Sequence, residues 1–339
     1  MAAIIAVLIL VASSTMIFTL TDPITSSSEK EQLKVTAEKL MTQILLDPGS
    51  PTNWGNPEVE VDSLTSFGLA KHGGTSREAY DLDPDKVQRL SLKTPEEFYV
   101  NTTISANILN LQNDYGFTFE LNETLNVKIT SLSQIHERYN ITVTSDYAHS
   151  PINNATVLAS LYYLEDDKIT NKNALPQPTN YYGNCTIDFG ITTPDNRMKA
   201  IIVVVNYLGL QIAKVDLLNS FATPSYLLGN ELLEGFQLQE ALEVIAPREN
   251  GSYTIKDFKV YGNPSVSNYV LAYPPEESMV AILGVIEDSQ LLVFFRDYEI
   301  SYRTSQTIRS ASSAYSLERT VRIGTSTYTA TLYLWRRSY

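Results

Sequence analysis

The sequence predicts an α+β protein in which a long N-terminal α-helix, made of an apolar tail and an amphipathic stem, precedes a β-rich head. Residues 1–21 contain no charged side chain, and an α-helix of that length spans about 31 Å. Apolar residues then recur with the helical period over 28–46. Beyond residue 115, apolar and polar residues alternate in short segments, as they do in β-strands.

The apolar tail has three interpretations. A secretory signal peptide would need a basic start, whereas the first Lys or Arg is Lys30. A single-pass membrane anchor fits the length, but Asp22 and Glu29 provide no positive flank to set its orientation. We favour the third interpretation, a mature end whose cationic leader has been removed and whose apolar helix packs against copies of itself. The residues expected in this polymerisation helix are Ile4, Ile5, Val7, Leu8, Ile9, Leu10, Val11, Met16, Ile17, Phe18 and Leu20.

The stem is expected to restart after Pro23, which interrupts the helix because proline has no amide hydrogen. The run Ser26-Ser27-Ser28 offers an N-cap for the new helix. One face of this helix is apolar and should pack on the head, while charged residues occupy the other face. The apolar face comprises Leu33, Ala37, Leu40, Met41 and Ile44. Residues 1–47 therefore form the first predicted unit, the N-terminal filament or membrane helix.

The junction between stem and head is rich in proline and glycine. It reads Leu45-Leu46-Asp47-Pro48-Gly49-Ser50-Pro51-Thr52-Asn53-Trp54-Gly55, and Phe67-Gly68-Leu69 follows. Pro48 and Pro51 stop the helix by fixing φ, and Gly49 permits a left-handed turn. Trp54 should fill the space between stem and body as a large apolar plug.

The two ends of the chain resemble archaeal type IV pilin-like proteins, the class III signal peptide family that includes adhesion pilus subunits. The similarity rests on the uncharged N-terminal segment, the Pro-Gly-Pro-Asn-Trp junction, and a closing hairpin formed by Tyr315–Ile323 and 328–335. It covers roughly residues 1–130 and 300–339. Bacterial type IV pilins carry a Glu near the start of the mature helix, whereas no acidic residue precedes Asp22 here, which matches the archaeal pattern.

The head is predicted in two parts, 48–135 and 218–339, with the C-terminal hairpin in the second part. Asp83-Pro84 and Thr94-Pro95 are each expected to open a short helix. Residues 115–129 should form a hairpin, with its turn at Asn122-Glu123. Further strands are expected at 253–260, 269–272, 280–286, 291–296 and 298–302.

Residues 136–217 are predicted to form a separate module inserted into the head. Turn-rich links separate several short strand-like runs, a pattern typical of an immunoglobulin-like β-sandwich. The continuous apolar run 201–205 should be its central strand. The expected strands are 139–147, 155–164, 186–191, 200–207 and 210–217.

The charge and the sequons favour an exported glycoprotein. The formal net charge is −13, which argues against nucleic acid as a partner because no basic stripe can displace counterions from phosphates. Six N-x-[ST] triplets without proline occur, all beyond residue 100. The candidate N-glycosylation sites are Asn101, Asn122, Asn140, Asn154, Asn184 and Asn250.

The sequence contains no catalytic constellation, and we expect neither an enzyme nor a bound cofactor or metal. His72, His136 and His149 are far apart and lack metal-ligand spacing. The single cysteine, Cys185, lies on a predicted strand, where a buried apolar role is the default. Asp81, Asp83 and Asp85 alternate as in a calcium loop but lack its Gly and its final Glu, so a helix cap is the favoured interpretation.

The combined expectation is a structural subunit of an extracellular filament. The resemblance implies an archaeal type IV-like pilus that polymerises through the apolar helix, exposes glycosylated β domains and serves surface adhesion. It also implies membrane insertion before assembly, cleavage by a prepilin peptidase and delivery by pilus assembly machinery. Three alternatives stay open: a membrane-anchored extracellular binding protein that never polymerises, an anchored extracellular hydrolase, and a subunit of an archaellum-type filament.

Overall fold

The structure is a computed structural model of the chain. The residues that it describes are 29–72, 80–92, 94–111, 114–133, 136–146, 148–165, 168–193, 199–218, 226–228, 231–233, 243–245, 260–262, 269–271, 281–286, 290–295, 298–304, 314–324 and 326–337. The apolar tail, with every residue predicted for the polymerisation helix, lies outside the described residues, and so do Pro23 and Asn250.

The predicted α+β class is wrong, because regular structure in the described chain is mostly β-sheet and includes no long apolar helix. Helix is confined there to α1 (29–46), a 3₁₀ turn at Val61–Ser63, α2 (Pro84–Gln88) and α3 (Thr102–Ile108). None of the described helices has the length and apolar character needed to cross a membrane. The physical reason is that helical periodicity stops at Pro48, whereas tyrosine-rich and β-branched segments fill the chain beyond residue 115.

Twenty strands are described, and they form five sheets. In chain order they are β1 Asp81–Leu82, β2 Tyr115–Glu123, β3 Leu125–Ser131, β4 Arg138–Ser145, β5 Thr156–Glu165, β6 Lys168–Asn173, β7 Gln177–Pro178, β8 Asn184–Asp188, β9 Lys199–Tyr207, β10 Leu210–Leu218, β11 Tyr226–Leu228, β12 Glu231–Leu233, β13 Glu243–Ile245, β14 Val260–Gly262, β15 Tyr269–Leu271, β16 Ala281–Ile286, β17 Gln290–Phe295, β18 Ile300–Arg303, β19 Tyr315–Ile323 and β20 Ser326–Arg336.

The stem helix α1 packs through the face that its periodicity predicts. Leu33, Ala37, Leu40, Met41 and Ile44 are all buried, and they belong to the same apolar cluster as the inward side chains of β2 and β20. Fully burying a leucine or isoleucine side chain stabilises by about 1.5–3 kcal/mol relative to leaving it exposed. The stem is therefore an integral part of the head core.

One five-stranded sheet takes its strands from widely separated parts of the sequence, in the order β1-β19-β20-β2-β18. The C-terminal hairpin is present, since all of β19 pairs in antiparallel register with residues 326–334 of β20. β2 inserts between β20 and β18, which pairs Phe117 with Leu334 and Phe119 with Tyr302. Loop-closure entropy over some two hundred residues must be overcome before these pairings form.

The predicted hairpin over 115–129 is wrong. β2 pairs with β18 and β20, whereas β3 pairs only with β4, so the chain leaves one sheet and enters another near Thr124. At that point the Thr124 amide donates to the Thr327 carbonyl at 3.4 Å, and its hydroxyl donates to the same carbonyl at 3.0 Å. The polar residues Asn122 and Glu123, which suggested a turn, are therefore the last residues of β2, where the chain passes from one sheet to the other.

The short-helix predictions have mixed outcomes. α2 begins as predicted, with the Asp83 carboxylate accepting from the amides of Asp85 and Lys86. Thr94-Pro95 opens only a turn over 96–98. The next helix, α3, is capped by Asn101, whose side chain accepts from the amides of Thr103 and Ile104.

Residues 125–218 build two sheets that share buried side chains. One sheet is β3-β4-β8, and the other is β10-β9-β5-β6 with β7 beside β5. Ile141 and Cys185 of the first sheet and Val157 and Val203 of the second belong to one apolar cluster. β9 is buried over residues 199–205, as a central strand requires. β10 then contacts the head where Gln211 exchanges hydrogen bonds with the Thr327 hydroxyl.

Between β10 and β18 the described residues form two smaller sheets, β11-β12-β15-β14 and β13-β16-β17. Strands lie at the predicted positions 269–272, 280–286 and 291–296. Of the strand predicted over 253–260, only Val260 is described, at the start of β14.

Candidate functional site

Backbone and side-chain hydrogen bonds hold the junction between stem and head. After α1 ends, residues 66–70 run back across its last turn. The Leu69 amide donates to the Ile44 carbonyl at 2.7 Å, and the Ala70 amide donates to the Asp47 carbonyl at 3.1 Å. The last carbonyls of a helix have no intrahelical partner. Residues 66–70 supply donors for two carbonyls at the end of α1 and so fix the direction of the helix relative to this segment.

Trp54 lies at the centre of this junction with its side chain fully buried. Its indole Nε1 donates to the Gly68 carbonyl at 3.0 Å. Its ring centroid lies 5.8 Å from that of Phe67, and Phe67 stacks at 6.2 Å on Tyr302 of β18. The tryptophan therefore joins the stem junction to the five-stranded sheet.

Two glycines allow the backbone to approach closely around Trp54. Gly49 has φ +76°, and a Cβ there would lie 2.6 Å from the indole Nε1. A Cβ on Gly68 would lie 2.0 Å from the Asp47 carbonyl oxygen. Pro48 and Pro51 flank this turn and are half-buried. The sequence predicted the roles of Gly49 and Trp54, but it gave no signal for the close approach at Gly68.

Two fully buried cations were missed by sequence reasoning. The Lys86 ammonium donates to the carbonyls of Pro48 at 2.9 Å and Ala70 at 2.8 Å, and lies 3.7 Å from the Asp83 carboxylate. Burial lowers the pKa of Lys86, although Asp83 partly opposes this shift. Buried backbone carbonyls need hydrogen-bond donors. By donating both to Pro48, just after α1, and to Ala70, in the loop before β1, Lys86 holds these two segments together.

Arg89 performs the same role on the other side of Trp54. Its guanidinium donates to the carbonyls of Trp54, Asn56 at 3.1 Å, Val59 at 3.0 Å and Phe98 at 2.8 Å. Burial lowers its pKa to about 10, so the group stays protonated at neutral pH. From the sequence alone, Lys86 and Arg89 would be expected on the solvent-exposed side of a short helix. Their burial follows from tertiary contacts that the sequence does not show.

The alternating acids of the calcium-like motif have structural partners. Asp83 caps α2, and burial raises the pKa of its carboxyl. The Asp81 carboxylate lies 3.4 Å from the Arg322 guanidinium of β19. Among the described residues, no group of three His, Cys, Asp or Glu side chains is placed to hold a metal ion.

A second buried polar cluster surrounds Glu137, which precedes β4. Its carboxylate accepts from the Lys199 ammonium at 2.6 Å and from the hydroxyls of Tyr139 and Thr193. All four side chains are nearly inaccessible to solvent. Because Glu137 borders the β3-β4-β8 sheet and Lys199 begins β9, the pair fastens the two sheets of residues 125–218 to each other at one end.

The electrostatics of this cluster favour the charged pair. Burial alone would raise the pKa of Glu137, but hydrogen bonds from Lys199, Thr193 and Tyr139 outweigh it and lower the pKa below its ordinary value. Burial and the adjacent carboxylate raise the pKa of Tyr139, so its phenol stays protonated and donates. Both carboxylate oxygens of Glu137 accept from protein donors, Oε1 from Lys199 and Thr193 and Oε2 from Tyr139, which is the arrangement of a structural ion pair.

The remaining candidate residues are dispersed. His72, His136 and His149 are exposed, and the ring Nδ1 of His136 lies 3.1 Å from the Thr192 hydroxyl. Cys185 is buried, and burial raises the pKa of its thiol to about 11. A thiol with so high a pKa is a poor nucleophile at neutral pH.

Of the described sequons, the one at Asn101 begins helix α3, the one at Asn154 lies in a turn, and the other three lie on strands. Asn101 and Asn154 are exposed, whereas Asn122, Asn140 and Asn184 are half-buried. Asn154 has φ +62°, as in a tight turn. An exposed pair of aromatic rings, Tyr181 and Tyr182, lies in the turn before β8 with ring centroids 5.6 Å apart.

Comparison of the chain with protein-family models, with curated proteins and with solved structures finds no match.

Proposed function

We propose that this chain is a structural, non-enzymatic subunit of an extracellular archaeal type IV-like pilus that polymerises through its apolar N-terminal segment. The observation that carries the proposal is the combination of that uncharged segment, residues 1–21, with a stem that is built into the head. The buried face of α1 and the bonds around Trp54, Lys86 and Arg89 fix the stem to the β-sheet. Such an attachment suits a subunit that transmits load between its polymerising end and its body.

The energetics of the apolar segment support assembly. Residues 4–20 include eleven large apolar residues, and burying each stabilises by about 1.5–3 kcal/mol. Packing copies of this segment together would therefore hold a polymer strongly. A head-to-tail contact that does not close on itself produces a helical filament.

The partners in this proposal are other copies of the chain, the membrane before assembly, a prepilin peptidase and the pilus assembly machinery. The net charge of −13 keeps neighbouring bodies soluble and gives nucleic acid no basic surface to bind. N-linked glycans on the exposed sequons would add to this solubility. In this account the finished protein is located in a filament on the cell surface.

Charged residues in the apolar segment should abolish filaments. We expect Ile9→Lys combined with Leu10→Lys to leave the chain in cells but to remove it from the filament fraction, because an unpaired ammonium in an apolar bundle is strongly disfavoured. The matched control is Glu38→Gln, which changes a charge on the exposed face of α1. Electron microscopy and protein detection in the sheared surface fraction measure the result. Normal filaments from the double variant would contradict the proposal.

We further propose that the module of residues 136–217 mediates surface adhesion. The exposed rings of Tyr181 and Tyr182 are 77% and 72% accessible and adjoin one another, and exposed tyrosines are favoured in contact surfaces. Tyr181→Ser with Tyr182→Ser should lower attachment of cells several-fold while the number of filaments is unchanged. Leu208→Ser, in the exposed turn after β9, is the matched control. Unchanged attachment in the tyrosine variant would remove this assignment.

A further inference from the structure

Two of the sequons face each other across neighbouring strands. β4 and β8 pair in antiparallel register, with Asn140 opposite Thr186 and Thr142 opposite Asn184. The triplets Asn140-Ile141-Thr142 and Asn184-Cys185-Thr186 are therefore aligned in opposite directions. Residues directly opposite have Cβ atoms about 5 Å apart, and diagonal neighbours about 7–8 Å apart. The two acceptor asparagines are diagonal neighbours.

The side chains of both sequons lie on the outer face of the β3-β4-β8 sheet. The intervening residues Ile141 and Cys185 point into the core and are buried. Because strand side chains alternate between faces, both asparagines and both threonines point outward. The other outward positions of this face are all polar, and they are Asn126, Lys128, Thr130, Arg138, Thr144 and Asp188.

A chain of hydrogen bonds links the two sequons. The Thr142 hydroxyl donates to Oδ1 of Asn184 at 2.7 Å, and Nδ2 of Asn140 donates to the Thr142 hydroxyl at 3.3 Å. An asparagine that carries an N-linked glycan keeps its Oδ1 and one N–H. Both hydrogen bonds can therefore persist after modification, and they would hold the two amides in fixed orientations.

We propose that Asn140 and Asn184 are both N-glycosylated and that their two glycans together cover the outer face of the β3-β4-β8 sheet. This inference rests on the proposed function, since it requires an exported chain. The face lacks the apolar side chains that the centre of a protein–protein contact needs, and glycans are bulky and solubilising.

The test is glycopeptide mass spectrometry on the full chain purified from cells that produce it naturally. Cleavage after Lys and Arg and before Asp releases peptides 139–145 and 173–187, each with a single sequon. Both peptides are expected to carry a glycan mass. Thr186→Ala should remove the glycan from 173–187 only, whereas Thr186→Ser, which preserves the sequon, should retain it. Thr130→Ala, on the same face outside any sequon, should leave both glycans in place.

The outcomes separate this inference from the proposed function. A glycan on only one of the two peptides overturns the paired site. Two unmodified peptides, with glycans found on Asn101 or Asn154, also overturn it but leave export and assembly standing. If no sequon is modified and the chain is missing from the surface fraction, both the inference and the proposed function fail.

Discussion

Glu137→Gln should lower the free energy of unfolding by about 3–5 kcal/mol, because removing one partner of a buried ion pair leaves the other charge uncompensated. The Lys199 ammonium lies 2.6 Å from the Glu137 carboxylate, and both side chains are almost fully buried. Chemical denaturation of the full chain, monitored by tyrosine and tryptophan fluorescence, measures the change. The transition to follow is the one that reports on residues 125–218.

The control for this prediction is the double variant Glu137→Met with Lys199→Met. Replacing both members of a buried pair with apolar residues of similar size is often neutral, so the double variant should recover most of the stability lost by Glu137→Gln. Glu31→Gln removes an exposed pair at 3.7 Å and should change stability little. A loss in Glu137→Gln no larger than that of Glu31→Gln would show that the buried pair does not hold the sheets together.

The same cluster predicts sensitivity to acid. The pKa of Glu137 is lowered in the folded chain, so its contribution to stability is complete above the unfolded pKa of about 4.3 and is lost as the pH falls through the lower folded value. The wild-type chain should therefore lose more stability between neutral pH and strongly acidic pH than Glu137→Gln does. If the free energies of unfolding of the wild-type chain and of Glu137→Gln fall equally with pH, the lowered pKa of Glu137 does not contribute to stability.

Gly68→Ala should detach the stem from the head. A methyl group at this position would lie 2.0 Å from the Asp47 carbonyl oxygen, a backbone atom that cannot move without disturbing the end of α1. The hydrogen bond from Trp54 to the Gly68 carbonyl would be lost with it. We expect destabilisation of at least 3 kcal/mol, comparable to about 3–5 kcal/mol for removing a buried tryptophan. Limited trypsin digestion should then cleave at Lys34 and Lys39.

Gly190→Ala is the matched control for Gly68→Ala. Gly190 has φ +64° and nothing within 4 Å of an added Cβ, so alanine there is disfavoured by backbone conformation alone, by about 1–2 kcal/mol. The stem should remain protected from trypsin in this variant. If Gly68→Ala proves as mild as Gly190→Ala, the close approach at the end of α1 is not what fixes the stem.

The parts of the fold that the sequence predicted are those governed by local periodicity. The buried face of α1 follows directly from the spacing of Leu33, Ala37 and Ile44. The C-terminal hairpin, which the resemblance implied, is also present. Helix capping by Asp83 was also predictable, because a carboxylate before proline satisfies the first free amides.

The errors arise where partners distant in sequence decide the structure. Alternation in 115–129 indicated two strands correctly, but pairing was assigned to the nearest neighbour in sequence, whereas β2 pairs with β18 and β20. The fold class was wrong because the long N-terminal helix predicted from the sequence was counted as a major element of the fold. Regular structure in the described chain is mostly β-sheet.

The candidate site shows the same limit. Trp54 and Gly49 are unusual residues in a recognisable turn, and their positions could be predicted. Lys86, Arg89 and Glu137 could not, since a buried charge differs from a solvated one only by the tertiary contacts that satisfy it. The paired sequons were visible as separate triplets, but their alignment depends on the register between β4 and β8.

Electron microscopy of filaments sheared from cells that produce the wild-type chain tests whether this chain is a filament subunit. Labelling with an antibody against the head, together with mass spectrometry of the same fraction, identifies the protein in the filaments. The account predicts continuous labelling along the filament and this chain as a major component. A chain found only in the membrane fraction, with unlabelled filaments or none, would contradict the account and favour an anchored binding protein.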